Sequence, residues 1–95
     1  MAIGVLTLQI QLSGCKSLKE KRSRLKPLIA RLHREFNLSV AELAQQDIWD
    51  EATIGCVMIS NAHQFAESSL QIVVHWLNKN WPDVLLLDDQ IEIIN

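Results

Sequence analysis

From Ile3 to Leu12 the chain alternates: Leu6, Leu8, Ile10 and Leu12 fall on one side, Val5, Thr7, Gln9 and Gln11 on the other. A period of two is that of a strand with one buried face, so this segment predicts a first strand. Ser13 to Lys16 is a short connection. Ser17 with Glu20 three residues on then forms a capping box, and the apolar period lengthens to that of a helix. Leu18, Leu25, Leu28, Ile29, Leu32 and Phe36 lie within an arc of roughly 100° on a helical wheel. Pro27 inside that stretch lacks an N–H and predicts a kink or a loosened first half. Asn37 suits the left-handed conformation that ends a helix.

Leu38 to Ala44 predicts a strand of ambiguous phase, Leu38 and Val40 competing with Ala41 and Leu43, which a bulge would reconcile. Gln45 to Glu51 is a polar connection holding Trp49. Ala52 to Ser60 is nearly continuous in apolar residues, as expected of a central strand. Asn61 with Gln64 repeats the capping-box spacing. It opens a second helix whose inward stripe is expected to comprise Phe65, Ala66, Leu70, Val73, Val74 and Leu77 and which ends near Asn80, before Pro82. Val84 to Ile94 closes as a strand, with Asp88-Asp89 suggesting a bulge.

The order β-α-β-β-α-β predicts an α+β, ferredoxin-like fold, a four-stranded antiparallel sheet with two helices on one face. At 95 residues the chain is read as a single domain, 1–95. The other sheet face is left open, and apolar outward positions on the third strand predict a homodimer through sheet face or edge. No apolar run approaches the ~20 residues of a membrane span, and no export signal opens the chain, so no membrane association and a cytoplasmic location are expected. Cys15 and Cys56 are too few and too far apart for a disulfide framework or a metal knuckle. Cys56 reads as a small buried hydrophobe and Cys15 as an oxidisable loop residue.

Charge changes this picture more than composition does. The net charge is only −2, yet eight of the nine Lys and Arg residues fall between Lys16 and Arg34. There they stand against Glu20 alone, a balance of +7, whereas residues 35–95 carry Lys79 against ten acids, a balance of −9. Lys and Arg on one helix neutralise phosphates and release counterions, so the candidate nucleic-acid contacts are Lys16, Lys19, Arg22, Arg24, Lys26 and Arg31. An acidic protein partner, or a plain solvated face, would use the same charges. RNA-recognition domains of this topology stack bases on aromatics of their central strands. None is present there, which confines RNA contacts to the backbone. Trp49, Trp76 and Trp81 are candidate interface residues.

Enzymatic readings are weaker, and no catalytic constellation, metal site or cofactor site is expected. The Ser13–Ser17 loop opens on a helix N-terminus and could cradle a phosphate, but it has one glycine and no Walker pattern, and the arginine-bearing glycine-rich signature of acylphosphatases is missing. His33, His63 and His75 share no metal-binding spacing.

Ser17-Leu18-Lys19-Glu20-Lys21-Arg22 together with Ala41-Glu42, Gln46-Asp47, Trp49, Ala52, Ile54-Gly55 and Ser60-Asn61 resembles the YlxP-like family along essentially the whole chain. Gln45 departs from the His-Gln-Asp that members often carry. The resemblance implies a small ferredoxin-like domain from a bacterial group of unknown function, often encoded beside translation-initiation and ribosome-maturation factors. It therefore implies an accessory role near RNA or a ribosomal particle without naming a reaction.

Overall fold

The computed structural model describes Met1–Asn95. Its elements are β1 (Ala2–Leu12), α1 (Leu18–Phe36), β2 (Ser39–Ala44), β3 (Glu51–Ser60), α2 (His63–Asn80) and β4 (Val84–Ile94). The antiparallel sheet runs β2-β3-β1-β4, so the first and third strands are central, as in a ferredoxin-like fold. The alternation in β1 has its expected consequence. Leu6, Leu8, Ile10 and Leu12 are buried under the helices, opposite Cys56, Ile54 and Ala52 of β3 in register, and the odd-numbered residues point to the open face.

Gly4 marks where α2 presses hardest on the sheet. A Cβ there would stand 2.8 Å from Leu70 Cδ1, a side chain fully buried and unable to retreat. Cys56 joins the same core, and burial pushes its thiol up to about 12, which leaves it protonated and inert. Cys15 differs from expectation: it is buried as part of the core, its Sγ 3.5 Å from the Ser17 carbonyl.

Strand phases resolve through bulges. Val40 and Glu42 lie on the helical side and Leu43 on the open face over Gly55, and the β2–β3 register shift between Glu42 and Ala44 brings Ala44 to the open face as well, opposite Thr53. A second shift in β4 skips Leu87, next to the Asp88-Asp89 pair. Both are the extra-residue irregularity that an unresolvable period-two pattern signals.

The helices depart from expectation in three places. Pro27 does not divide α1, which runs from Leu18 to Phe36 as one helix. Pro27 and Ser23 are both exposed, so the carbonyl deprived of its donor lies at the solvent side. Asn61 does not cap α2. The N-cap is Ala62 without a side-chain bond, and the Ala62 N–H donates to Ser60 Oγ at 3.1 Å instead. Phe65 lies off the inward stripe, which is Ala66, Leu70, Val73 and Leu77, and is exposed. On a 100° wheel it stands about 100° from Ala66, beyond the arc of that stripe.

Candidate functional site

α1 begins as its sequence dictates: Glu20 N–H donates to Ser17 Oγ at 3.0 Å. The reciprocal half of the capping box is replaced by a contact of the Glu20 carboxylate with Arg24, 3.6 Å away. Asn37 ends the helix with φ 53°. Between these ends Lys21, Leu25, Leu28 and Leu32 form the buried edge. All other charges of the helix are arranged around that edge at 100° per residue.

The basic residues divide into two flanks. Lys19, Arg22, Lys26 and His33 fall within about 60° of arc on the β2 side. All four are exposed, as is Lys16 in the preceding loop, and none of Lys16, Lys19, Arg22 and Lys26 has an ion-pair partner. His33 Nδ1 is bonded to the Leu38 carbonyl. Arg22, Lys26 and His33 line an open groove of about 490 Å³ whose other wall includes Val40 and Glu42 of the edge strand β2.

On the opposite flank Arg24 and Arg31 are already engaged, while Arg34 is exposed and unpaired. Arg24 Nη1 donates to the Ser13 carbonyl at 2.8 Å, its Nη2 to the Asp83 carbonyl at 2.9 Å and its Nε to the Asp83 carboxylate at 3.1 Å. With its side chain only 16% exposed, Arg24 is a clamp between the β1–α1 and α2–β4 connections and has little left for a phosphate. Arg24→Ala should therefore cost about 1–2 kcal/mol of stability, measured by urea unfolding, without changing any affinity carried by the other flank. Arg31 lies over the Trp76 ring, 5.5 Å from its centroid, and contacts Glu35 at 3.5 Å. Of the six candidate contacts, the structure groups Lys16, Lys19, Arg22 and Lys26 on one free surface and commits Arg24, and in part Arg31, to the fold.

The tryptophans divide in the same way. Trp76 meets Phe36 edge-on at 5.4 Å and Trp81 at 6.0 Å, a half-buried cluster joining the end of α1 to the end of α2. Trp49 is 53% exposed on the β2–β3 connection.

One residue emerges that charge counting overlooks. Lys21 is 1% exposed, and its Nζ donates to the carbonyls of Gln45 at 2.6 Å and Ile48 at 2.7 Å. Glu42 Oε2 stands 2.9 Å from the same nitrogen, close enough for an ion pair but off the axis of a directed hydrogen bond. An ammonium has three protons, and here three oxygens surround it. The spacing 21, 25, 28, 32 is that of a core stripe, and Lys21 holds its first position, which was the available signal. Nearby, the buried Thr53 hydroxyl lies 3.0 Å from Gln9 and 2.9 Å from Gln45, whose backbone has φ 64°. The hydroxyl carries one proton, so it donates to one of these two amide oxygens at a time. The β2–β3 connection is thus held from both the helix and the sheet.

Residues 3–91 match the family model described as "Protein of unknown function (DUF503)". The chain is similar to the "Uncharacterized protein YlxP" of Bacillus subtilis (strain 168), 34% identical over 68 residues that cover 72% of this chain and 73% of the relative. Among solved structures it is similar to SnoaB, a cofactor-independent oxygenase from Streptomyces nogalater, with a TM-score of 0.51 at 12% identity over 98% of this chain and 91% of that one. At that identity the likeness is one of fold alone.

Proposed function

This chain belongs to the DUF503 family, whose description assigns no activity, and we propose from its surface that it is a non-enzymatic accessory protein binding structured RNA, such as that of a ribosomal particle, through α1. The carrying observation is the free cationic surface of Lys16, Lys19, Arg22 and Lys26, exposed and unpaired, whereas Arg24 and Arg31 on the other flank are engaged with Asp83, Glu20, Glu35 and Trp76. Lys19 and Lys26 are separated by roughly 10 Å of helix rise, so the row can follow a phosphate backbone. The positive end of the helix dipole points the same way. With four phosphate contacts, log affinity for an RNA duplex should fall with log salt at a slope of about −3 to −4, a loss of roughly a hundredfold between 50 and 200 mM. A slope near zero would remove the electrostatic basis.

The groove between α1 and the edge strand β2 favours a second reading. An acidic, extended protein segment could pair with β2 and lay its carboxylates on Arg22 and Lys26. A partner that stays bound after nuclease treatment and is lost on reversing those charges would select that reading over RNA.

The same reading places a second copy of the chain on the open sheet face. Ile3 stands between Ile59 and Ile94 in register, with Val5 beside Val57, and Ile59 is 68% exposed. Three strands of 10 or 11 residues and the 6-residue β2, about 4.8 Å apart, span on the order of 600 Å². Two such faces reach about 1,200 Å², the lower end of stable interfaces. Sedimentation at micromolar concentration should report about twice the chain mass, and Ile59→Lys should return it to the monomer; a wild-type monomer contradicts the pairing.

A further inference from the structure

Five aromatic side chains are present, and three of them, Phe36, Trp76 and Trp81, pack on one another. Phe65 is exposed on the first turn of α2, which follows β3 and so lies at the opposite end of the sheet from the β2–β3 connection. Trp49 is the remaining one, and its surroundings are unusual. The carbonyl before it, of Ile48, accepts from the buried Lys21 ammonium at 2.7 Å, and the carbonyl after it, of Asp50, accepts from the Leu12 N–H at 2.7 Å. The first anchor comes from the opening turns of α1, between Lys19 and Arg22 in sequence. The second comes from the residue that leads into the loop bearing Lys16. The exposed indole is therefore carried by a backbone anchored on both sides, at the end of the sheet where β1 leads into the Lys16 loop and α1 begins.

We propose that Trp49 is a stacking platform for an unpaired nucleobase of an RNA whose phosphates lie along Lys16, Lys19 and Arg22; this rests on the RNA reading above and names the feature of the RNA that is recognised. Stacking needs a solvent-facing π-surface on the same side of the molecule as a cationic track, and Trp49, 53% exposed on an anchored backbone, lies at the end of the sheet from which the Lys16 loop and α1 start. Asp47 and Asp50 flank Trp49 in sequence and are exposed. Carboxylates repel phosphates but accept hydrogen bonds from base amino groups, which makes this spot suited to a base and the helix suited to the backbone. Ile48, 42% exposed, extends the apolar surface. The open sheet face offers no aromatic alternative.

The test compares one RNA hairpin carrying a single bulged adenosine with the same hairpin carrying an abasic ribose at the bulge, so that the phosphates are equal and only the base differs. The full chain should bind the adenosine form about tenfold more tightly. Trp49→Ala should bind both forms at the abasic affinity, and Trp49→Phe, which keeps a ring and guards against a misfolded loop, should retain most of the preference. Equal affinity of the wild type for the two hairpins, or a preference that survives Trp49→Ala, overturns the platform while leaving the cationic surface standing. If neither hairpin binds at low salt, the RNA reading itself fails and this inference with it. Loss of a nuclease-resistant protein partner on Trp49→Ala, without any base preference in the wild type, assigns the indole to a protein contact and also overturns the proposal.

Discussion

Lys21→Met should destabilise the protein by about 2–4 kcal/mol, although it exchanges a charged side chain for an apolar one of similar length in a buried position. Removing one member of a buried ion pair strands the other, which typically costs about 3–5 kcal/mol. The Glu42 side chain is 20% exposed, so water recovers part of that loss. The carbonyls of Gln45 and Ile48 would lose their ammonium donor at the same time, and Gln45 would keep only the Ile48 N–H, 3.0 Å away. At about 4–8 °C per kcal/mol for a domain of this size, thermal unfolding should fall by roughly 8–30 °C. Glu42→Leu in the Lys21→Met background should recover part of the loss, a coupling of about 0.5–3 kcal/mol in a double-mutant cycle. Additive single effects below about 0.5 kcal/mol would show that the three oxygens do not hold the lysine.

The latch also shows what could and could not be read along the chain. Strand alternation needs no tertiary information, so β1 and its buried face were legible from Leu6, Leu8, Ile10 and Leu12. So were the cap at Ser17 and the terminator at Asn37, where side-chain chemistry acts on its own backbone. Lys21 was legible only in part: its place at the head of the 21, 25, 28, 32 stripe shows in the spacing, but hydropathy assigns lysine to water, and only the meeting of α1 with the β2–β3 connection supplies the acceptors that allow its burial. Phe65 erred in the other direction: the 100° wheel already sets it beyond the arc of Ala66, Leu70, Val73 and Leu77, but hydropathy alone assigns an apolar residue inward. The partition of the arginines was equally hidden. Arg24 reaches Asp83, 59 residues away, and no local spacing announces such a pair.

That partition sharpens the second large expected effect. Reversing Lys19, Arg22 and Lys26 together to glutamate replaces three attractions by three repulsions on one surface and leaves the Arg24 clamp, the Lys21 latch and the buried leucines intact. All three positions are exposed, so the fold should survive, with unfolding changed by no more than about 1 kcal/mol. RNA affinity should not survive. If each contact contributes about one unit to the salt slope, losing three leaves a slope near −1.

The most direct test of the cationic-surface account is the affinity of an RNA hairpin for this triple variant against the wild type at about 100 mM salt, with circular dichroism confirming both folds. A loss of at least about a hundredfold is predicted. A folded triple variant that binds within about threefold of the wild type would contradict the assignment of RNA binding to α1.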